Sequence, residues 1–113
     1  MLEEFEGWLR VNNESLRQKG IQVEFNPSNA ELLKHVAPSQ INKAAYAHFA
    51  SDKCLGSITV WESGACDIDV LSIETGKPIW WKRYDLTTSE ELRSVLANFA
   101  QRFTELLNEN SNS

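Results

Sequence analysis

Between Leu2 and Lys19 the apolar residues fall at Leu2, Phe5, Trp8, Leu9 and Leu16. Steps of three, four and seven put them on one face of a helix. Gly20 supplies the stop, with Arg17 and Lys19 in the last turn, where the helix dipole favours cations. Gly7 weakens this helix by about 1 kcal/mol relative to Ala. After Gly20 the period drops to two: Ile21, Val23 and Phe25 alternate with Gln22, Glu24 and Asn26, a short half-buried strand ending at Pro27. Ser28 and Glu31 then have the spacing of a capping box ahead of Leu32, Leu33 and Val36, and Pro38 closes the stretch. A short helix or helical turn is expected there, followed by a connection to Lys43.

From Ala44 the period is again two. Ala45, Ala47 and Phe49 alternate with Ala44, Tyr46 and His48. Ile58 and Val60 alternate with Thr59 and Trp61, and Ile68 and Val70 with Asp67, Asp69 and Leu71. A last strand, Ile79 to Leu86, carries Trp80, Trp81 and Tyr84. The turns between these runs are short (Ser51-Asp52-Lys53, Glu62-Ser63-Gly64, Glu74-Thr75-Gly76-Lys77), so they join antiparallel neighbours and the four strands form a meander. Thr88 and Glu91 make a second capping box. Leu92, Val95, Leu96, Phe99, Phe103, Leu106 and Leu107 then keep a helical rhythm for four turns, before a polar tail, Asn108 to Ser113, that is expected to fray. Two amphipathic helices need one apolar sheet face for their stripes. The expected fold is α+β: an antiparallel sheet of four to five strands with the N-terminal and C-terminal helices packed on one face. The other sheet face is left for water or a partner.

Composition narrows the function. The chain has 113 residues, 42% hydrophobic and 24% charged, the profile of one globular domain spanning residues 1–113 with enough core to fold without a metal or disulfide. Eleven basic residues against sixteen acidic give a net charge of −5, which argues against a protein that grips nucleic-acid phosphates. No apolar run approaches the roughly 20 residues that span a bilayer, and no basic-then-apolar leader opens the chain, so a cytoplasmic protein is expected. Eleven residues separate Cys54 from Cys66, on neighbouring strands. A cross-strand pair is conceivable, but two buried thiols are the simpler expectation. His35 and His48 are the only histidines and match no compact metal motif.

No catalytic constellation emerges. The chain has no Gly-rich phosphate loop and no nucleophile elbow. A Cys-His pair from Cys54 or Cys66 with His48 is outweighed by a histidine on a strand face. Asp67 and Asp69, spaced i, i+2 on a strand, project from one face roughly 7 Å apart. That geometry suits acid-base work or a divalent ion, yet more often it marks a solvated face. No enzyme activity, cofactor or metal is therefore expected. Aromatic residues on the meander stand out instead: of four tryptophans, Trp61, Trp80 and Trp81 lie on or beside it. Trp80 and Trp81 are consecutive in a strand, so unless a bulge intervenes one joins the core and the other the open face. If Ile58, Val60, Ile68 and Val70 face the helices, then Trp61, Asp67 and Asp69 share the open face. Tryptophan ringed by carboxylates is good interface material. The charge is thin, six acids against four bases over residues 52–86, and not that of a DNA mimic.

The run Gly56-Ser57-Ile58-Thr59-Val60-Trp61-Glu62-Ser63-Gly64-Ala65-Cys66-Asp67-Ile68-Asp69-Val70 resembles the strand, Trp-Glu-Ser-Gly, strand core of small bacterial immunity proteins. Ile73-Glu74-Thr75-Gly76, the aromatic strand after it, and the opening stripe of Phe5, Trp8 and Leu9 fit the same pattern. The family it resembles is the TriTu-type immunity family of polymorphic toxin and contact-dependent inhibition systems. The likeness covers most of the chain and is most specific over residues 56–85, while Pro27 to Lys43 contributes nothing. It implies a cytoplasmic antidote, a monomer or weak dimer when free. Such a protein binds the C-terminal domain of a cognate toxin, often a nuclease, and blocks its active site or substrate groove. It contacts neither nucleic acid nor membrane. Combined with the face reading, the expected toxin-binding set is Trp61, Glu62, Asp67, Asp69, Trp80 and Asp85, with Asp67, Asp69 and Glu62 pairing with Lys or Arg and Trp61 supplying the apolar anchor. The alternative is a small-ligand or peptide-binding α+β module with a Trp-lined pocket.

Overall fold

In the computed structural model of the chain, residues 1–27 and 43–109 are described. They form α1 (Leu2–Gln18), β1 (Gln22–Asn26), β2 (Ala44–Ala50), β3 (Cys54–Trp61), β4 (Ala65–Ser72), β5 (Pro78–Asp85) and α2 (Ser89–Glu109). The helical turn expected after Ser28 and the tail past Glu109 lie outside the described residues. α2 runs two residues into the stretch expected to fray, since neither Gly nor Pro stands between Leu107 and Glu109 to end it.

The five strands make one sheet in the order β1-β2-β3-β4-β5, every pair antiparallel. β1 thus adds a fifth strand to the edge of the predicted meander, with Val23 opposite Phe49 and Phe25 opposite Ala47. Both helices lie on one face, as an α+β fold requires. α1 packs over β1, β2 and β3, and α2 over β3 and α1. The core holds Phe5, Leu9 and Leu16 from α1, Leu92, Leu96, Phe99 and Phe103 from α2, and the inward alternates Phe49, Ile58, Val60, Ile68 and Val70. Cys54 and Cys66 are buried on this side and form no disulfide, and they do not face one another: Cys54 lies opposite Ser72, Cys66 opposite Val60.

Local signals act as the sequence suggests. Past α1, Gly20 takes φ +88°, while Gly20 N–H donates to the Arg17 carbonyl and Ile21 N–H to the Leu16 carbonyl, both at 3.0 Å. This left-handed cap brings buried Ile21 against buried Leu16 and turns the chain into β1. At α2, Glu91 N–H donates to Thr88 Oγ1 (3.1 Å), and the Thr87 and Thr88 hydroxyls donate back to Glu91 Oε1. Those hydrogen bonds, led by that from Thr87, hold the Glu91 carboxyl below its ordinary pKa. Gly56 lets α2 approach the sheet, because a Cβ there would lie 2.9 Å from Phe103 Cε2.

Candidate protein-binding face

The sheet face away from the helices is assembled by strand alternation. β1 contributes Glu24 and Asn26, β2 Tyr46 and His48, β3 Leu55, Ser57, Thr59 and Trp61, β4 Asp67, Asp69 and Leu71, and β5 Trp81, Arg83 and Asp85. Their mates on the same strands fill the core, so the two-residue period that buries Ile58 and Ile68 is what projects these side chains outward.

The antiparallel register sorts them into rows. One row crosses the sheet as Glu24, His48, Ser57, Asp69 and Trp81. The next runs Asn26, Tyr46, Thr59, Asp67 and Arg83. In the second row Asn26 meets Tyr46 and Asp67 meets Arg83. Asn26 Nδ2 donates to the Tyr46 hydroxyl at 2.8 Å. Arg83 Nη1 lies 3.6 Å from Asp67 Oδ1, and its guanidinium sits 5.8 Å from the centre of the Trp61 ring. Asp67 Oδ1 is buried and accepts no hydrogen bond, so Arg83 supplies its compensation as charge at a distance. Trp61, half-buried, is therefore already covered in part by a cation from its own sheet.

The first row is open. Asp69 is exposed, and its carboxylate takes part in no ion pair or side-chain hydrogen bond among the described residues. Next to it Leu55 and Leu71 pair directly across β3 and β4, and they are 45% and 37% exposed. Trp81, across from Asp69, is 62% exposed. A shallow groove of about 250 Å³ runs between His48, Leu55, Ser57, Asp69 and Leu71. Another hollow, between α1 and β1, is lined by Glu6, Leu9, Arg10, Asn13, Val23 and Phe25. Neither is lined by tryptophan, so neither supplies the Trp-lined pocket of a ligand-binding module.

Of the expected site residues, Trp61, Asp67, Asp69 and Asp85 share this face, and Glu62 projects at its end from the exposed turn between β3 and β4. Trp80 does not share it. It pairs with Val70 on the helix side, stacks on Phe99 (centroids 5.9 Å, planes 25° apart) and lies under the Arg102 guanidinium at 4.6 Å. The reason is register: β5 carries one extra residue between Pro78, opposite Leu71, and Trp80, opposite Val70. The bulge thus precedes both tryptophans and leaves Trp81 on the open side.

Sequence reasoning missed Arg83 and Leu55, and of the two candidate tryptophans it took Trp80 rather than Trp81 for the open face. Leu55 was findable, since it has the parity of Thr59 and Trp61 and is apolar where that parity is otherwise polar. Trp81 was not, because Lys82 and Tyr84 on the helix side of β5 blur the alternation. Among the described residues no three His, Cys, Asp or Glu side chains gather as a metal site, and no helix is long and apolar enough to cross a membrane. Burial, with the Asp67 charge adding to it, pushes the Cys66 thiol up to about 12, which leaves it protonated and inert as a nucleophile at neutral pH.

When the chain is compared with known families, a model described as immunity protein TriTu matches residues 3–102. No curated protein matches it.

Proposed function

This chain belongs to the TriTu family of immunity proteins, and from that premise we propose that it neutralises a toxin by laying its open sheet face over the toxin's active site or substrate groove. An immunity protein's role is to neutralise a toxin. The observation that carries it is the asymmetry of the sheet: one face is sealed by two helices, while the other displays Leu55, Leu71 and Trp81 beside the unpaired Asp69. Exposed apolar area beside charge on an otherwise well-packed domain marks an interface.

Contact residues on this reading are Trp61, Glu62, Asp67, Asp69 and Asp85, joined by Trp81. Trp80 serves the core. No chemistry is asked of the chain; occlusion suffices. The toxin class that suits an acidic face is a nuclease, whose substrate cleft is lined with cations to hold phosphates. Delivery by a contact-dependent or Rhs-type system fits the same role, with the antidote waiting in the cytoplasm as a single domain, monomeric or weakly dimeric.

Co-expression with a cognate toxin domain, sought as the C-terminal domain of a large secreted protein encoded by a neighbouring gene, tests the reading. Growth rescue with a co-purifying complex is the expected result. A toxin that kills despite abundant folded antidote, with no complex formed, would refute it.

A further inference from the structure

Five of the six exposed large hydrophobic residues among those described (Leu55, Leu71, Ile73, Ile79 and Trp81, with Val11 the exception) come from one end of the sheet, where β3 begins, β4 ends and β5 begins. The groove beside Asp69 opens at this end. At about 250 Å³ it is smaller than the sites that enclose a cofactor or drug-sized ligand, and matches a single side chain. We infer that it receives a lysine or arginine of the toxin, its aliphatic stem lying on Leu55 and Leu71 and its charge meeting Asp69. This rests on the toxin-neutralising reading above and names the chemistry of its central contact.

The identity of the occupant follows from what the groove would do to each alternative. A purely apolar side chain would drive water from Asp69 and leave the carboxylate buried without a partner, which is strongly unfavourable. An acidic side chain would meet Asp69 with like charge, while the neighbouring turns offer no net cation to relieve it: Asp52 and Glu74 balance Lys53 and Lys77. A basic side chain with a long apolar stem satisfies both parts of the groove at once. At the other end of the face Asp67 is already engaged by Arg83, and the exposed Glu62 and Asp85 line neither of the two hollows described above.

Titration calorimetry against the catalytically inactivated form of the toxin domain used in that co-expression, at two salt concentrations, is the test. Asp69→Lys should weaken binding at least a hundredfold, and Asp69→Asn about tenfold with a flatter salt dependence. Leu71→Ser should weaken it about tenfold while leaving the salt dependence as it is. Glu105→Lys, the same charge change on α2, should leave affinity unchanged. All three positions are exposed, and unchanged thermal melting checks the fold. Tight binding by wild type that survives Asp69→Lys would overturn the inference and spare the toxin-neutralising reading. Failure of wild type to bind or protect would overturn both. Self-association of the free chain abolished by Asp69→Lys would assign the groove to a second copy and overturn the inference.

Discussion

Trp80 and Trp81 are neighbours in β5 and have opposite fates. Trp80 stacks on Phe99 under Arg102 and belongs to the face that two helices seal. Trp81 stands 62% exposed across from Asp69, on the face that nothing in the described chain covers. The same residue type thus joins the core at one position and stands on the open face, where toxin binding is proposed, at the next, and a single residue of register decides which. The lesson extends to the whole sheet. Its helix side is apolar at nearly every alternate position, including Phe49, Ile58, Ile68 and Val70. Its open side mixes Leu55, Leu71 and Trp81 with Asp67, Asp69 and Arg83. A core excludes charge because burying it unpaired is costly, whereas an interface keeps charge to select its partner.

That division can be broken most severely from the sealed side. Phe99→Ala removes the ring that touches Phe49, Trp80 and Phe103. It should cost about 3–5 kcal/mol in denaturant unfolding, with toxin affinity per folded molecule unchanged. Alkaline pH probes the same side. The Cys66 thiol moves from 9.0 to about 12 in the folded chain. Between those values the unfolded chain releases a proton that the folded chain keeps. Its contribution is therefore complete below pH 9 and is lost as pH rises toward 12, by about 1.4 kcal/mol per pH unit. Subtracting the pH profile of Cys66→Ala from that of wild type isolates this slope; identical slopes would show that the thiol is not shielded.

The tryptophan pair gives the sharpest comparison. Trp80→Ala should lower stability by about 2–3 kcal/mol and leave affinity alone, since its ring is partly buried against α2. Trp81→Ala should weaken toxin binding by about 2 kcal/mol while unfolding stays within about 0.5 kcal/mol of wild type. If both variants lose stability equally, the two faces are not divided as drawn. Smallest is Thr88→Ala, which removes the hydroxyl that caps α2 and should cost about 1 kcal/mol of stability, with binding untouched.

Much of this architecture was legible in the residues. Period and stop signals located both helices and all five described strands. The Thr88–Glu91 spacing marked the start of α2, and the parity of Asp67, Asp69 and Trp61 put them on the open face. These features are local: a helix face, a cap or an alternation is set by residues within a few positions of one another, so the chain carries it without tertiary information. Three things needed the fold. Which tryptophan faces outward depended on the bulge opposite Val70 and Leu71, a property of pairing between strands. That Asp67 is engaged while Asp69 is free depended on Arg83, delivered by β5 to one and not the other. The groove, likewise, exists only because Leu55 and Leu71, sixteen positions apart in the chain, meet across β3 and β4. Contacts between strands turn on register, and register is fixed by packing the whole sheet against its helices.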